Sequence, residues 1–476
     1  MDTIVAIATA PGIGGIGIVR ISGNRAFEIG EALYSGKRTF FDVPANYLFH
    51  GIVEEKSTHA FIDEAMFVKM ANPNSFTAED VVEIHCHGGR VVLSKVIDLA
   101  MDLGARLAEP GEFTKRAFLN GRLDLSQAEA VADIIHAKTL ESSKAAMDQL
   151  EGRLSKQIGV AKSTLVEIIA HIEANLDYPE FDIEELTTEN LKDAICSARS
   201  VVKDLLSTFD RGRLLREGVT IAITGKPNVG KSSLLNRLAG RQRAIVTAVP
   251  GTTRDIIDEY IDLNGIPARI VDTAGIRDTN DEVEKIGVEM ARKEVQNADF
   301  VVAVLDAEAG VLQAEVEMLT ELERSGKKVL VVLNKIDTQV QDLGAAVPDA
   351  HLRVSLLTDA GVAALIQALG ALVSAAGSDT DTRVAASGPS ASPDSGPAAA
   401  WGVPGDTLVT NARHKQLLGN AASALDSALA ALEAQAPVDC ISGDLMAACS
   451  SLGEITGESV SEEIVNEIFS KFCIGK

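Results

Sequence analysis

Residues 219–235 read VTIAITGKPNVGKSSLL, and this stretch decides how the rest of the chain is read. An apolar run of strand character ends at Gly225. Four residues then intervene, and Gly230, Lys231 and Ser232 complete the spacing G-x-x-x-x-G-K-[ST] ahead of an apolar helix beginning near Lys231. A glycine-rich turn between a buried strand and a helix lets backbone N–H groups converge on a polyphosphate, and the helix N-terminus adds positive potential. In such a cradle Lys231 reaches the outer phosphates and Ser232 supplies a hydroxyl to Mg²⁺.

Working outward, two more strand ends make the nucleotide site a guanine site. Asp272-Thr273-Ala274-Gly275 follows a short strand at 269–271, placing a carboxylate toward the Mg²⁺ water shell and a glycine near the γ-phosphate. Asn334-Lys335-Ile336-Asp337 closes a buried strand at 328–333. Asp337 can accept from guanine N1–H and the 2-amino group, and adenine offers neither donor there. A buried acceptor left unpaired costs about 1–3 kcal/mol, so GTP is the expected nucleotide. Gly251-Thr252-Thr253-Arg254-Asp255 lies between the cradle helix and the next strand, and a hydroxyl there can complete the Mg²⁺ shell. Where a Ras-type enzyme has glutamine after D-x-x-G, this chain has Ile276, which cannot orient water. Glu282 or Glu284 in the acidic segment that follows is the expected substitute.

At 476 residues the chain exceeds one ordinary core, so two or three domains are expected. A net charge of −24 argues against a broad basic nucleic-acid surface, leaving local patches such as Lys115-Arg116 or Arg211, Arg213 and Arg216. The five cysteines, Cys86, Cys196, Cys440, Cys449 and Cys473, are scattered and odd in number, unlike a disulfide framework. With no signal peptide or long apolar span, a cytoplasmic protein is expected.

The pattern is multidomain, α/β plus all-α. Residues 1–122 carry strand-like runs at 3–9 and 16–21 around a Pro-Gly-Ile-Gly-Gly turn, whose glycines do not match a dinucleotide fingerprint. His85-Cys86-His87 suggests a metal site, but neighbours on a strand point to opposite faces, so a structural role fits better. Residues 123–217 turn helical, with apolar residues at three- and four-residue steps. A Ras-like P-loop GTPase domain is expected over 218–373. The segment 374–406, rich in Ala, Ser, Gly and Pro, reads as a flexible linker in which Trp401 is the single aromatic. Helical periodicity returns over 407–476, so the simplest topology is a helical domain interrupted by an inserted GTPase. The terminal Cys473-Ile474-Gly475-Lys476 fits neither prenylation class.

Together GKPNVGKSSLLN, AIVTAVPGTTRD, DTAGIRDTNDEVEKIG, TIVAIATAPGIGGIGIVRISG, NSFTAEDVVEIHCHGG, PGEFTKRAFLNGRLDLSQAEA, LGEITGE and FCIGK resemble the tRNA modification GTPase MnmE (TrmE) family, and the resemblance runs from end to end. It implies an N-terminal domain that binds folate and dimerises, a discontinuous helical domain and an inserted GTPase. It also implies a homodimer working with the flavoprotein MnmG. Together they would add an aminomethyl or carboxymethylaminomethyl group to C5 of the wobble uridine of certain tRNAs, with the carbon taken from 5-formyl- or methylene-tetrahydrofolate.

By motif match, Arg20, Glu83, Arg122 and Lys476 correspond to folate contacts; from the residues alone, Arg20 and Glu83 would be surface charges. The implied nucleotide contacts are Asn228, Val229, Gly230, Lys231, Ser232 and Ser233, then Thr247, Ala248, Val249, Pro250, Gly251, Thr252 and Thr253. They continue with Asp272, Thr273, Ala274, Gly275, Asn334, Lys335 and Asp337, and end at Ser355, Leu356 and Leu357, where the family usually reads S-A-[KR]. Mg²⁺ would sit on Ser232 and Thr253, and K⁺ on Asn228, Thr247, Val249 and Thr252. Glu284 would be catalytic and Cys473 a thiol near the folate. The alternative is a regulatory or ribosome-assembly GTPase, which would have no use for the folate motifs.

Overall fold

The computed structural model describes residues 2–177, 187–242, 259–272, 293–338, 351–376 and 407–476. Near the N-terminus, alternating apolar residues build a seven-stranded sheet: β1 (Ile4–Ile7), β2 (Gly14–Ser22), β3 (Tyr34–Ser35), β4 (Phe49–Glu55), β5 (Ala60–Met70), β6 (Val81–Gly88) and β7 (Arg106–Leu107). Their order is β3-β4-β5-β6-β2-β1-β7, antiparallel except where β1 meets β7. One face buries Val5, Val19, Ile21, Phe67 and Ile84 under the helices Ala26–Leu33 and Arg90–Asp102. That face is apolar at every second position, which is what sheet pleating demands. Within β6, Cys86 points into this core while His85 and His87 sit on the other face, His87 Nδ1 lying 2.7 Å from Asp63.

One expectation is corrected here. Lys115-Arg116 is not a basic patch: the Arg116 side chain is 4 % exposed and is enclosed by Asp2, Glu79 and Glu112, while Lys115 donates to Asn466. Arg216 is likewise engaged, 2.8 Å from Asp133.

The helices Leu125–His136 and Leu140–Leu150 each start at a capping box, Asp124 with Gln127 and Thr139 with Ser142. Arg153–Asp177, Thr188–Ser207, Ala412–Glu433 and Val438–Thr456 then enclose one core, in which Leu165, Ile195, Val202, Leu418, Leu425, Leu445 and Leu452 are fully buried. Chain from both sides of the GTPase therefore contributes to a single apolar interior. A charged knot ties the same two segments: Glu129 accepts from Arg413 at 3.0 Å and from Asn411 at 3.1 Å, and lies 2.6 Å from His414 Nε2.

Between those segments lies the second sheet, β8 (Val219–Thr224), β9 (Glu259–Leu263), β10 (Ile266–Asp272), β11 (Phe300–Asp306), β12 (Lys328–Asn334) and β13 (His351–Arg353). The order is β13-β12-β11-β8-β10-β9, with only β9 antiparallel to its neighbour. Its central strands are near-continuous apolar runs, as a sheet covered on both faces requires. The β9–β10 hairpin rests on the helical layer. Thr139 Oγ1 donates to Gly265 O at 2.7 Å, and Lys138 Nζ lies 3.5 Å from the Tyr260 ring centroid. The helix Val362–Ala375 runs two residues into the segment expected to be linker. Residues 377–406 of that segment, with Trp401, and residues 178–186 lie outside the described residues.

Candidate functional site

At the C-terminal end of β8 the chain turns through Gly225 (φ 145°), Asn228 (φ 64°) and Gly230 (φ 103°) before entering the helix Lys231–Gln242. Gly230 admits no side chain, because a Cβ there would sit 2.4 Å from Asn334 Nδ2. Lys231 is buried, and its Nζ donates to the carbonyls of Gly225 and Lys226 at 2.7 and 2.6 Å. Burial lowers its pKa, against a smaller opposing pull from Asp272. The Ser232 hydroxyl donates to Asp272 Oδ2 at 3.0 Å. A hydroxyl and a carboxylate together are hard oxygen donors of the kind Mg²⁺ takes, so these two residues fit that ion.

Asn334 and Asp337 come to the same rim. Asn334 Nδ2 donates to Val229 O at 2.8 Å, and its Oδ1 accepts from Leu356 N at 3.2 Å, so one buried amide holds two loops together. Ser355 Oγ donates to Asp337 Oδ1 at 2.5 Å, and Lys335 pairs with Asp306 at the same distance. Ser233 and Leu357 are exposed nearby. The structure thus brings together residues 228–233, Asp272, Asn334, Lys335, Asp337 and 355–357. Thr247, Ala248, Val249, Pro250, Gly251, Thr252, Thr253, Thr273, Ala274, Gly275, Ile276, Glu282 and Glu284 lie outside the described residues.

A second cluster forms where the C-terminal tail meets the first sheet. Arg20 and Glu83 are cross-strand partners on β2 and β6, and Arg20 Nε lies 2.8 Å from Glu83 Oε1 with both side chains 15 % exposed. They are therefore not the surface charges that the residues alone suggested. The Arg20 guanidinium lies 5.6 Å from the ring centroids of both Phe76 and Phe113, and that of Arg122 lies 5.1 Å from Phe76. The tail is fixed by Gly111 N donating to Cys473 O at 3.3 Å and Phe113 N to Lys476 O at 3.1 Å. At Gly475 (φ 92°) a Cβ would sit 2.0 Å from Ile7 O, so only glycine allows this approach.

The Lys476 ammonium has its pKa lowered by burial first and by Arg20 second, while Glu83 and Cys473 oppose. All four groups therefore share one electrostatic neighbourhood. Beside them a cavity of about 610 Å³ is lined by Phe76, Asn74, Asn120 and Arg122 among others. Sequence reasoning missed Phe76 and Phe113; the aromatic positions inside NSFTAED and PGEFTKR were the available signal.

The chain resembles known proteins over its whole length. Residues 125–473 match the MnmE helical domain, and residues 3–122 match the GTP-binding protein TrmE N-terminus. The chain is 47 % identical to the tRNA modification GTPase MnmE of Acetivibrio thermocellus, over 100 % of this chain and 99 % of that one. It is 43 % identical to the protein of that name from Lactiplantibacillus plantarum, over 100 % and 98 %, and 42 % identical to that of Bacillus subtilis, over 100 % of both. With a P-loop turn between strand and helix and this end-to-end likeness, the chain belongs to the tRNA modification GTPase MnmE family and is a GTP-hydrolysing enzyme of tRNA modification.

Proposed function

We propose that this enzyme, as a homodimer and with the flavoprotein MnmG, adds an aminomethyl or carboxymethylaminomethyl group to C5 of the wobble uridine, drawing the carbon from a reduced folate. The observation that supports it is the convergence of Arg20, Glu83, Cys473 and Lys476 beside the Phe76 and Phe113 rings. Two aromatic faces suit a pterin or aminobenzoyl ring, a carboxylate suits the pterin donor edge, and cations suit the folate glutamate. The division into 1–122, 123–217 with 407–476, 218–373 and a linker at 374–406 belongs to this reading. So do folate contacts by Arg20, Glu83, Arg122 and Lys476, a reactive Cys473 and a cytoplasmic location. Among the described residues no helix is long and apolar enough to cross a membrane.

Titrating 5-formyl-tetrahydrofolate onto the full chain tests the site. Loss of a charge-assisted pair in Arg20→Gln or Arg20→Glu is expected to weaken binding by about 10- to 100-fold. Affinity unchanged in both variants would overturn the assignment.

On the nucleotide side, Lys231 would hold the outer phosphates, Ser232 and Thr253 would hold Mg²⁺ with Asp272 toward its water shell, and Asp337 would read the guanine. Mg²⁺ would supply charge neutralisation at the phosphates. Asp337→Asn replaces an acceptor by a donor opposite the 2-amino group, so GTP preference should fall. Xanthosine triphosphate, which carries a carbonyl at that position, should bind in its place. Guanine selectivity retained in Asp337→Asn would count against this seat.

A further inference from the structure

We propose that Arg237 and Asp359 are positioning residues for guanine selection, fastening the 355–359 loop to the P-loop helix so that the loop backbone stands against the base. This rests on the guanine seat proposed above. Arg237, on the helix Lys231–Gln242, donates from Nη2 to Leu356 O at 3.1 Å, and its Nε lies 2.9 Å from Asp359 Oδ1. One turn further on, Arg241 pairs with Asp359 Oδ2. A single carboxylate thus lies against two guanidinium groups spaced i, i+4 on one helix face, hydrogen-bonded to Arg241 and ion-paired with Arg237, whose fork also reaches the loop carbonyl.

Leu356 is held from its other end as well. Its N–H donates to Asn334 Oδ1, whose amide is bound to Val229 in the phosphate cradle. Inside the loop, Ser355 Oγ accepts from Thr358 N at 3.1 Å, and Ser355 N donates to Ala360 O at 2.9 Å. Asp359 sits at φ 68° and Gly361 at φ 75°, where a Cβ would meet Arg353 O at 2.1 Å.

The two residues after Ser355 explain why such a clamp matters. Leu356 is half-buried against the core of this sheet and Leu357 is 82 % exposed, and neither side chain carries a polar group. Contact between residues 356–357 and the polar edge of a base therefore falls to the backbone, which is selective only where it is held still. The clamp side chains are about a third or more exposed, at 38 % for Arg237, 42 % for Arg241 and 32 % for Asp359. Ion pairs so exposed add little to stability. Their consequence is geometric, and it should register in base discrimination and not in melting temperature.

The test uses the full chain and calorimetric binding of GDP, 6-thio-GDP and IDP. The thio analogue alters only the O6 edge that backbone amides face; inosine removes only the 2-amino group that Asp337 faces. Arg237→Ala and Asp359→Asn, the latter keeping a residue type that tolerates positive φ, are expected to weaken GDP by about 5- to 20-fold. In both, the preference for GDP over 6-thio-GDP should shrink toward unity while that over IDP persists and the melting temperature holds. Arg237→Lys, which keeps the charge but not the fork, should restore only part of it. An unchanged GDP to 6-thio-GDP ratio in both variants would overturn the clamp. So would an equal loss of both preferences together with a lowered melting temperature. Wild type with no preference for GDP over IDP would overturn the seat itself and the clamp with it, so the two failures are told apart.

Discussion

The full chain is expected to hydrolyse GTP at least about tenfold faster in potassium than in sodium, and Glu284→Ala to slow turnover by about 10²- to 10⁴-fold while GTP still binds. The reason is a deficit in the sequence. Ile276 replaces a water-orienting glutamine, and no obvious arginine finger is supplied in cis, so transition-state charge lacks a stabiliser. Asn228 offers a neutral amide oxygen from an exposed, left-handed turn of the cradle, and carbonyls at 247–252 would complete a shell suited to a weakly hydrated monovalent cation. Contact between two GTPase domains of a dimer would bring Glu284 to the water. Turnover of the purified chain decides the matter. Equal rates in sodium and potassium, or no loss in Asn228→Ala, would refute this mechanism. Stimulation by a second protein's arginine in sodium would replace it.

Truncating Glu129 to alanine is expected to destabilise the helical layer by about 3–5 kcal/mol, because it leaves the Arg413 guanidinium facing a buried gap. Burial alone would raise the Glu129 carboxyl, but the charges and hydrogen bonds of His414 and Arg413 outweigh it and hold the pKa down to about 2 from the ordinary 4.5. A folded-state pKa below the unfolded one contributes stability that is complete above about 4.5 and is lost as pH falls through about 2. The shift corresponds to about 3 kcal/mol. Asp133, raised by burial, acts in the opposite sense and offsets part of this. Denaturant unfolding at pH 7 and pH 3 measures the difference. A Glu129→Ala chain as stable as wild type at pH 7, or a gap that does not narrow on acidification, would contradict this account.

The nucleotide site was legible in the sequence because its chemistry is local. Lys231, Ser232, Asp272, Asn334 and Asp337 each stand at a strand end or helix start, and the apolar runs announce those ends. Helix starts were legible too, and Asp124-x-x-Gln127 is a capping signal that the periodicity reading left unused. What stayed hidden depends on register and long-range approach. Arg20 meets Glu83 only because β2 and β6 pair in a particular register across 63 residues. The Lys115-Arg116 patch was misread for the same reason. Arg116 has one local partner, Glu112, but its burial comes from Asp2 and Glu79, which no spacing rule connects to it. The Arg237 contact with Leu356 spans 119 residues and was equally invisible.

The knot between Glu129 and His414 joins residues 285 positions apart, and the whole GTPase sheet lies between them in sequence. A ribosome adding about 5–20 residues per second needs on the order of 15–60 s to pass from one to the other. Throughout that interval the helix Leu125–His136 has emerged with a carboxylate facing its future interior and no counter-charge, while the inserted sheet has time to close on its own short-range contacts. Birth order therefore runs opposite to sequence nesting, with the insert folding first and its host last. Of the described contacts, those that close the helical layer therefore wait for the last part of the chain to be made.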